Sequence, residues 1–267
     1  MAIEKNKEKT KKRPLRKEKR NSMEDKIEGK NPVLEALKSD TEIDKIYIIN
    51  NFKDPILYSI VKLANEKKIP VSRVEKPKLD KISDIKNHQG VIAAISQTKY
   101  VEVQEILNHA YEKQKNPFII ILDGIEDTHN LGAIIRSAEC AGCDGVIIPK
   151  RRAAGVNSGA YKASAGAVNH IMIARVTNIN NTIRELKELG VLILGTDADA
   201  NMSYKDPDLT VPLAMIIGSE GKGMALHTKK ECDTLVSIPI LGQVNSLNAS
   251  VSAGIIIYEA LNQRMKV

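Results

Sequence analysis

The chain contains no tryptophan, two phenylalanines and seven tyrosines in 267 residues. So few rings exclude a broad aromatic platform for stacking nucleobases, so any nucleic-acid recognition must rest on shape and phosphate contacts. Three cysteines are too few for a disulfide framework at this length and point to a reducing, cytoplasmic setting. No apolar run approaches the roughly 18 residues of a membrane span. The N-terminus has no apolar segment behind its charges, so a secretory signal is not expected. Scattered His, Cys and Asp residues show no ligand spacing, which argues against a metal centre.

What is present fits a globular protein with room for two domains: 42% hydrophobic and 27% charged residues. The charge is unevenly placed. Residues 1–22 hold ten Lys and Arg against Glu4, Glu8 and Glu18, an excess equal to the +7 of the whole chain. Of the 40 basic and 33 acidic residues, 30 of each therefore remain in the other 245 positions. The basic pI describes an arm and not a domain. Its composition predicts disorder, and its charge suits electrostatic attachment to nucleic acid or the simpler task of a solubilising tail.

After the arm, residues 27–37 read as a helix with Asn31 as cap and Pro32 in its first turn. Strands are expected at 45–49, 71–74 and 91–95, with a helix at 56–67, giving a small α/β domain over residues 23–98. Residues 99–115 read as a polar linker with some helical character. From residue 116 the pattern is that of a parallel α/β domain running to 267. Pro117–Gly124 is an uninterrupted apolar run, the mark of a strand buried on both faces. Further strands are expected at 145–149, 171–176, 191–195, 213–218 and 234–239, and helices at 131–141, 182–189 and 249–265. Ligands in such sheets bind at the carboxyl ends of the strands.

Three polar clusters fall at those ends. The first, Asp123 to Arg136, leaves a strand and enters a helix carrying Asn130 and Arg136. Arg136 sits among apolar neighbours, where an unpaired guanidinium is costly, so it is expected to meet a phosphate or to pair with Asp123 or Asp127. The second, Gly218-Ser219-Glu220-Gly221-Lys222-Gly223, lets backbone approach a ligand closely, although a turn alone would also use it. It matches neither the phosphate-binding P-loop nor the dinucleotide turn. The third, Ile238 to Val251, holds more polar side chains than a strand-to-helix connection requires, with Asn248 or Ser246 as candidate cap. Cys140-Ala-Gly-Cys143 lies at the wrong end of its helix for a reactive thiolate and reads as structural.

Taken together, Asn130-Leu-Gly-Ala-Ile-Ile-Arg136, Gly218-Ser-Glu-Gly-Lys-Gly223 and Ile238-Pro-Ile240 with Ser246-Leu-Asn-Ala-Ser-Val251 resemble the three motifs of the SpoU/TrmH family of RNA ribose 2′-O-methyltransferases. Ala249 departs from the Val more usual there. Gly29–Leu37 and His88–Val91 resemble the substrate-binding domain of the RlmB-type enzymes, which methylate a guanosine of 23S ribosomal RNA. The resemblance implies a SPOUT fold, a parallel sheet with a deep trefoil knot, preceded by a small L30e-like RNA-binding domain. It implies S-adenosyl-L-methionine as cofactor, a homodimer, and RNA as partner. By position the cofactor would contact Thr196, Gly218, Gly221, Ile238 and Leu247, while Asn130, Arg136, Glu220, Ser246 and Asn248 would serve the reacting end. The competing expectations are methylation of another ribosomal or transfer RNA nucleotide, and an RNA-binding protein without catalysis.

Overall fold

A computed structural model of the chain describes residues 26–39, 41–83, 87–96, 98–113 and 115–266, and the basic arm of residues 1–22 lies outside them. The first unit runs β1 (Lys26–Glu28), α1 (Lys30–Lys38), β2 (Ile43–Ile49), α2 (Pro55–Glu66), β3 (Val71–Val74), α3 (Lys76–Ile82) and β4 (Val91–Ile95). Its four strands take the order β1-β4-β2-β3. β4 is antiparallel to both β1 and β2, and β2 is parallel to β3. Asp54 accepts from the Ile56 N–H and Pro55 opens α2, the favoured chemistry for a helix start.

The first helix differs from its sequence expectation. Residues 26–28 form β1 against β4, the N-cap is Gly29 and not Asn31, and α1 starts at Lys30. Gly29 makes the corner at φ 100°, a conformation open to glycine, and its N–H donates to the Val91 carbonyl at 3.2 Å. Helical periodicity continued through the corner because Ile27 and Val33 both face the same core.

Residues 99–115 hold α4 (Val103–Glu112), which buries Ile106, Leu107 and Ala110. The second unit then runs β5 (Phe118–Asp123), α5 (Thr128–Cys140), β6 (Gly145–Pro149), α6 (Ser158–Ala163), β7 (Met172–Val176), α7 (Ile179–Glu188), β8 (Leu192–Thr196), β9 (Met202–Ser203), β10 (Leu213–Gly218), α8 (Leu226–Glu231), β11 (Thr234–Ser237) and α9 (Ala249–Arg264). The strands form one seven-stranded sheet of order β7-β6-β5-β10-β8-β11-β9, with every neighbouring pair parallel. Helices cover both faces, as a parallel sheet requires. Leu131, Ile134 and Ile135 of α5 and Ile256 and Ile257 of α9 fill one layer, while Ile106 of α4 and Ile183 and Leu186 of α7 fill the other.

The chain winds outward from β5 to β7, then crosses to β8 and leaves between β5 and β8 a place that β10 fills. This change of direction puts a crevice at the carboxyl ends of β5, β10, β8 and β11. The two units are also joined to each other. Val101 donates to the Ile173 carbonyl at 2.9 Å and bridges in parallel to Ala174 of β7. Arg175 of β7 pairs with Asp44 of β2 at 2.6 Å, with both side chains less than a tenth exposed. The Tyr100 hydroxyl donates to Asp44 at 2.8 Å and accepts from the Val156 N–H at 3.1 Å. No helix among the described residues is long and apolar enough to cross a membrane.

Candidate active site

The crevice is built from three loop-to-helix corners. At the end of β5, Asp127 caps α5 by accepting from the Asn130 N–H, which presents the Asn130 side chain in the first turn. At the end of β10, residues 219–223 close on themselves. The Ser219 N–H donates to the Gly223 carbonyl and the Gly223 N–H donates back to Ser219, at 3.1 and 2.9 Å. Gly218 cannot be replaced within this loop, because a Cβ there would lie 2.3 Å from the Met224 nitrogen. The loop carries Glu220 at its tip, and Asp123 at the end of β5 anchors its exit by accepting from the Ala225 N–H. At the third corner Asn248, and not Ser246, caps α9, its Oδ1 accepting from the Ser250 and Val251 N–H groups.

These corners bring three side chains together. Asn248 Nδ2 donates to Asn130 Oδ1 at 3.0 Å and to Glu220 Oε2 at 3.4 Å, and Asn130 Nδ2 reaches the same Glu220 oxygen at 3.5 Å. The Ser250 hydroxyl donates to Asn248 Oδ1 at 2.6 Å and fixes which way the amide points. The result is a carboxylate held by two amides, with the amides oriented by a helix cap. Such a cluster can position a hydroxyl or a hydrogen-bonding edge of a ligand with little freedom.

Beside it lies a cavity of about 340 Å³, within the range of small-molecule sites. Thr196, Gly218, Gly221, Ile238 and Leu247 all line it, together with Glu220 and Ser246. Its walls are mixed. Val236, Ile238, Leu247 and Ile256 supply apolar surface, and Asp197, Asp199, Glu220 and Lys222 supply charge. Asp197 is paired with Lys229 at 2.7 Å, and the Thr196 hydroxyl is turned into the sheet, donating to the Ile216 carbonyl.

Two of the singled-out residues stand apart. Ser246 lines the cavity but is not hydrogen-bonded to the amide–carboxylate cluster, and the loop around it is exposed. Arg136 is exposed on α5. It does not pair with Asp123 or Asp127, whose carboxylates serve the Ala225 N–H and the α5 cap. Sequence reasoning passed over Asp197, Asp199, Ser252 and Ile256, all of which line the cavity. Asp197 and Asp199 directly follow β8, so the strand-end rule applied to that strand would have found them. The C-x-x-C pair is unlike a redox site: Cys140 ends α5 and is exposed, while Cys143 is buried and burial pushes its thiol well up.

Comparison with known proteins meets this geometry. The SpoU rRNA methylase family matches residues 117–258, and the RNA 2′-O ribose methyltransferase substrate-binding family matches residues 26–101. A protein of Bacillus subtilis named "Putative TrmH family tRNA/rRNA methyltransferase YacO" is 43% identical over 243 residues, spanning 91% of this chain and 97% of that one. A Staphylococcus saprophyticus protein named as a TrmH family tRNA/rRNA methyltransferase, also with the qualifier "Putative", is 44% identical across 89% of this chain and 95% of its own. Among solved structures, an AdoMet-bound rRNA methyltransferase from Sinorhizobium meliloti superposes with a TM-score of 0.56 at 26% identity, covering 89% of this chain and 86% of that one. The SpoU methyltransferase AviRb of Streptomyces viridochromogenes, in complex with AdoMet, shares the fold with a TM-score of 0.58 at 22% identity over 91% of each chain. On the match over residues 117–258 and on these relatives, the chain belongs to the SpoU/TrmH family of RNA methyltransferases.

Proposed function

We propose that the protein transfers the methyl group of S-adenosyl-L-methionine to a ribose 2′-hydroxyl of RNA, a guanosine of 23S ribosomal RNA. The observation that carries this reading is the Asn130–Glu220–Asn248 cluster standing beside the cavity of about 340 Å³ at the ends of β8, β10 and β11. The cavity suits the cofactor's chemistry. Ile238, Leu247 and Ile256 offer apolar walls to an adenine ring, the peptide groups at Gly218 and Gly221 can approach it closely, and Asp199 and Glu220 are carboxylates near which a sulfonium cation is favoured. When bound, the cofactor supplies an electrophilic methyl group on sulfur. Asn130, Glu220 and Asn248 orient the ribose, and Ser246 serves the reacting end from the cavity wall. Arg136, with an exposed guanidinium, clamps the phosphate beside the target nucleotide. A guanidinium is a cationic fork of donors with no acceptor, so its service is placement and charge and not removal of the ribose proton.

The ribosomal assignment draws on the first unit. Its two motifs meet in the fold, where the Lys30 N–H donates to Gln89 Oε1 and the Gly29 N–H to the Val91 carbonyl. The names of the relatives keep transfer RNA open as the alternative target. A second copy of the chain is proposed to cover the loop and α9, where Leu241 is fully exposed and Val244, Val251 and Tyr258 are about half exposed or more. Solvent-facing apolar groups beside a polar site are the mark of an interface.

Mapping ribose methylation in ribosomal and transfer RNA from a deletion strain tests the reading. One 2′-O-methylguanosine of 23S RNA should vanish and return with the wild-type gene, but not with Asn130→Ala. Loss confined to transfer RNA would move the target, and an unchanged map would remove the enzyme assignment. For Arg136, the Lys variant should keep RNA binding and lose most turnover; near-normal turnover would show that the guanidinium has no specific part.

A further inference from the structure

Beyond residue 22 the chain is formally neutral, yet cations gather where the two units meet. A cleft of about 550 Å³ opens there, walled by Lys45 and Tyr47 of β2 on one side and by residues 150–157, which follow β6, on the other. Lys45, Lys150, Arg151 and Arg152 all line it, and none of the four forms an ion pair among the described residues. The acidic residues of its lining are Glu126 and Asp44, with Asp44 spent on Arg175, while Glu42 and Glu102 act on Lys150 alone of the four from the neighbouring cavity. Burial first, and then the nearby Arg175 charge, push the Lys150 ammonium below its ordinary pKa, against the opposing pull of Glu102 and Glu42. Arg152 is one of the few non-glycine residues at positive φ, 54°, and its side chain is exposed.

The cleft is preformed. Asp44 and Arg175, both in its lining, clasp the units together with Tyr100. Gly155 is required beside them, since a Cβ there would stand 2.4 Å from an Asp44 oxygen. The cleft is also lined by Thr128, the first residue of α5, two residues before Asn130. The helix whose first residue lines the cleft thus also carries Asn130 of the amide–carboxylate cluster.

We propose that this cleft is the track for the phosphodiester backbone of the RNA strand flanking the methylated nucleotide, with Lys45, Arg151 and Arg152 on its phosphates. The inference rests on RNA being the substrate. A row of cations outside any ion pair, with Tyr47 under Lys45 as the aromatic residue of the lining, reads backbone charge and not base identity. The fixed clasp makes the cleft a rigid guide, so the strand reaches the site in one register.

The test is the salt dependence of binding between the full-length protein and a 23S ribosomal RNA transcript, measured without cofactor. Each of Lys45→Gln, Arg151→Gln and Arg152→Gln should lower the slope of log affinity against log salt by about 0.7–0.9, and the triple variant by about 2–3. Melting temperature and S-adenosyl-L-methionine affinity should stay at wild-type values, which separates lost contacts from lost fold. Lys62→Gln, exposed on α2 away from the cleft lining, should leave the slope alone. Unchanged slopes in the cleft variants, or an equal fall in Lys62→Gln, would overturn the proposal. Wild-type protein that binds RNA with the cleft-dependent slope but transfers no methyl group would leave the cleft standing and remove the enzymatic reading instead.

Discussion

Asn248 performs two tasks with one amide. Its oxygen caps α9 and its nitrogen joins Asn130 to Glu220. The tasks can be separated. Asn248→Ala should lose about 1 kcal/mol of stability from the missing cap and also the link. Asn248→Ser keeps a capping oxygen, so its denaturation midpoint should stay near wild type while methyl transfer falls on the order of 100-fold from a misplaced substrate. Paired denaturation and single-turnover measurements check both. The cysteines offer a second residue-scale test. Burial raises Cys143 well above an ordinary thiol and Cys232 to about 12, whereas Cys140 is exposed. Iodoacetamide at pH 8 should label Cys140 in the native protein and all three only after unfolding, which mass spectrometry reads directly. Asn130, Glu220 and Asn248 were each conspicuous in the sequence as polar residues at strand ends. Their hydrogen bonds, which span 90 and 118 positions, were not, because no local spacing encodes a contact made by three separate corners.

Among the elements, β5, β6 and β10 were legible because strands buried on both faces are plain apolar runs. Short elements were not. α6 has six residues within a stretch rich in Gly, Ala and Ser, and β9 has two; neither length carries a period. Yet α6 explains a motif residue. A Cβ on Gly132 of α5 would lie 2.5 Å from the Ala160 carbonyl and from the Ala163 Cβ of α6, so the glycine is there to let two helices touch. Gly132→Ala must push α6 away, at about 1–3 kcal/mol. Because α5 also presents Asn130, the variant should lose activity along with melting temperature, and calorimetry with a transfer assay measures both.

Across the whole molecule, the alternation of strands and helices disclosed two α/β units, while the charged clasp between them was invisible, since Asp44 and Arg175 are 131 positions apart. Removing one partner should be costly. Arg175→Met leaves the Asp44 carboxylate buried without its cation and should cost about 3–5 kcal/mol. Adding Asp44→Asn should recover part of that loss, and a double-mutant cycle in urea gives the coupling. The residues between the two units have a further consequence. The family matches stop at 101 and resume at 117, yet α4 lies between them and closes one face of the seven-stranded sheet, and Val101 occupies the outer side of β7. A catalytic fragment cut at 116 would bare an edge strand with unpaired N–H and C=O groups beside an uncovered apolar face, a template for sheet-to-sheet association. Such a fragment should aggregate, whereas one beginning at residue 99 should stay dispersed in light scattering. The segment that joins the two units is thus also what keeps the catalytic sheet from pairing with its own kind.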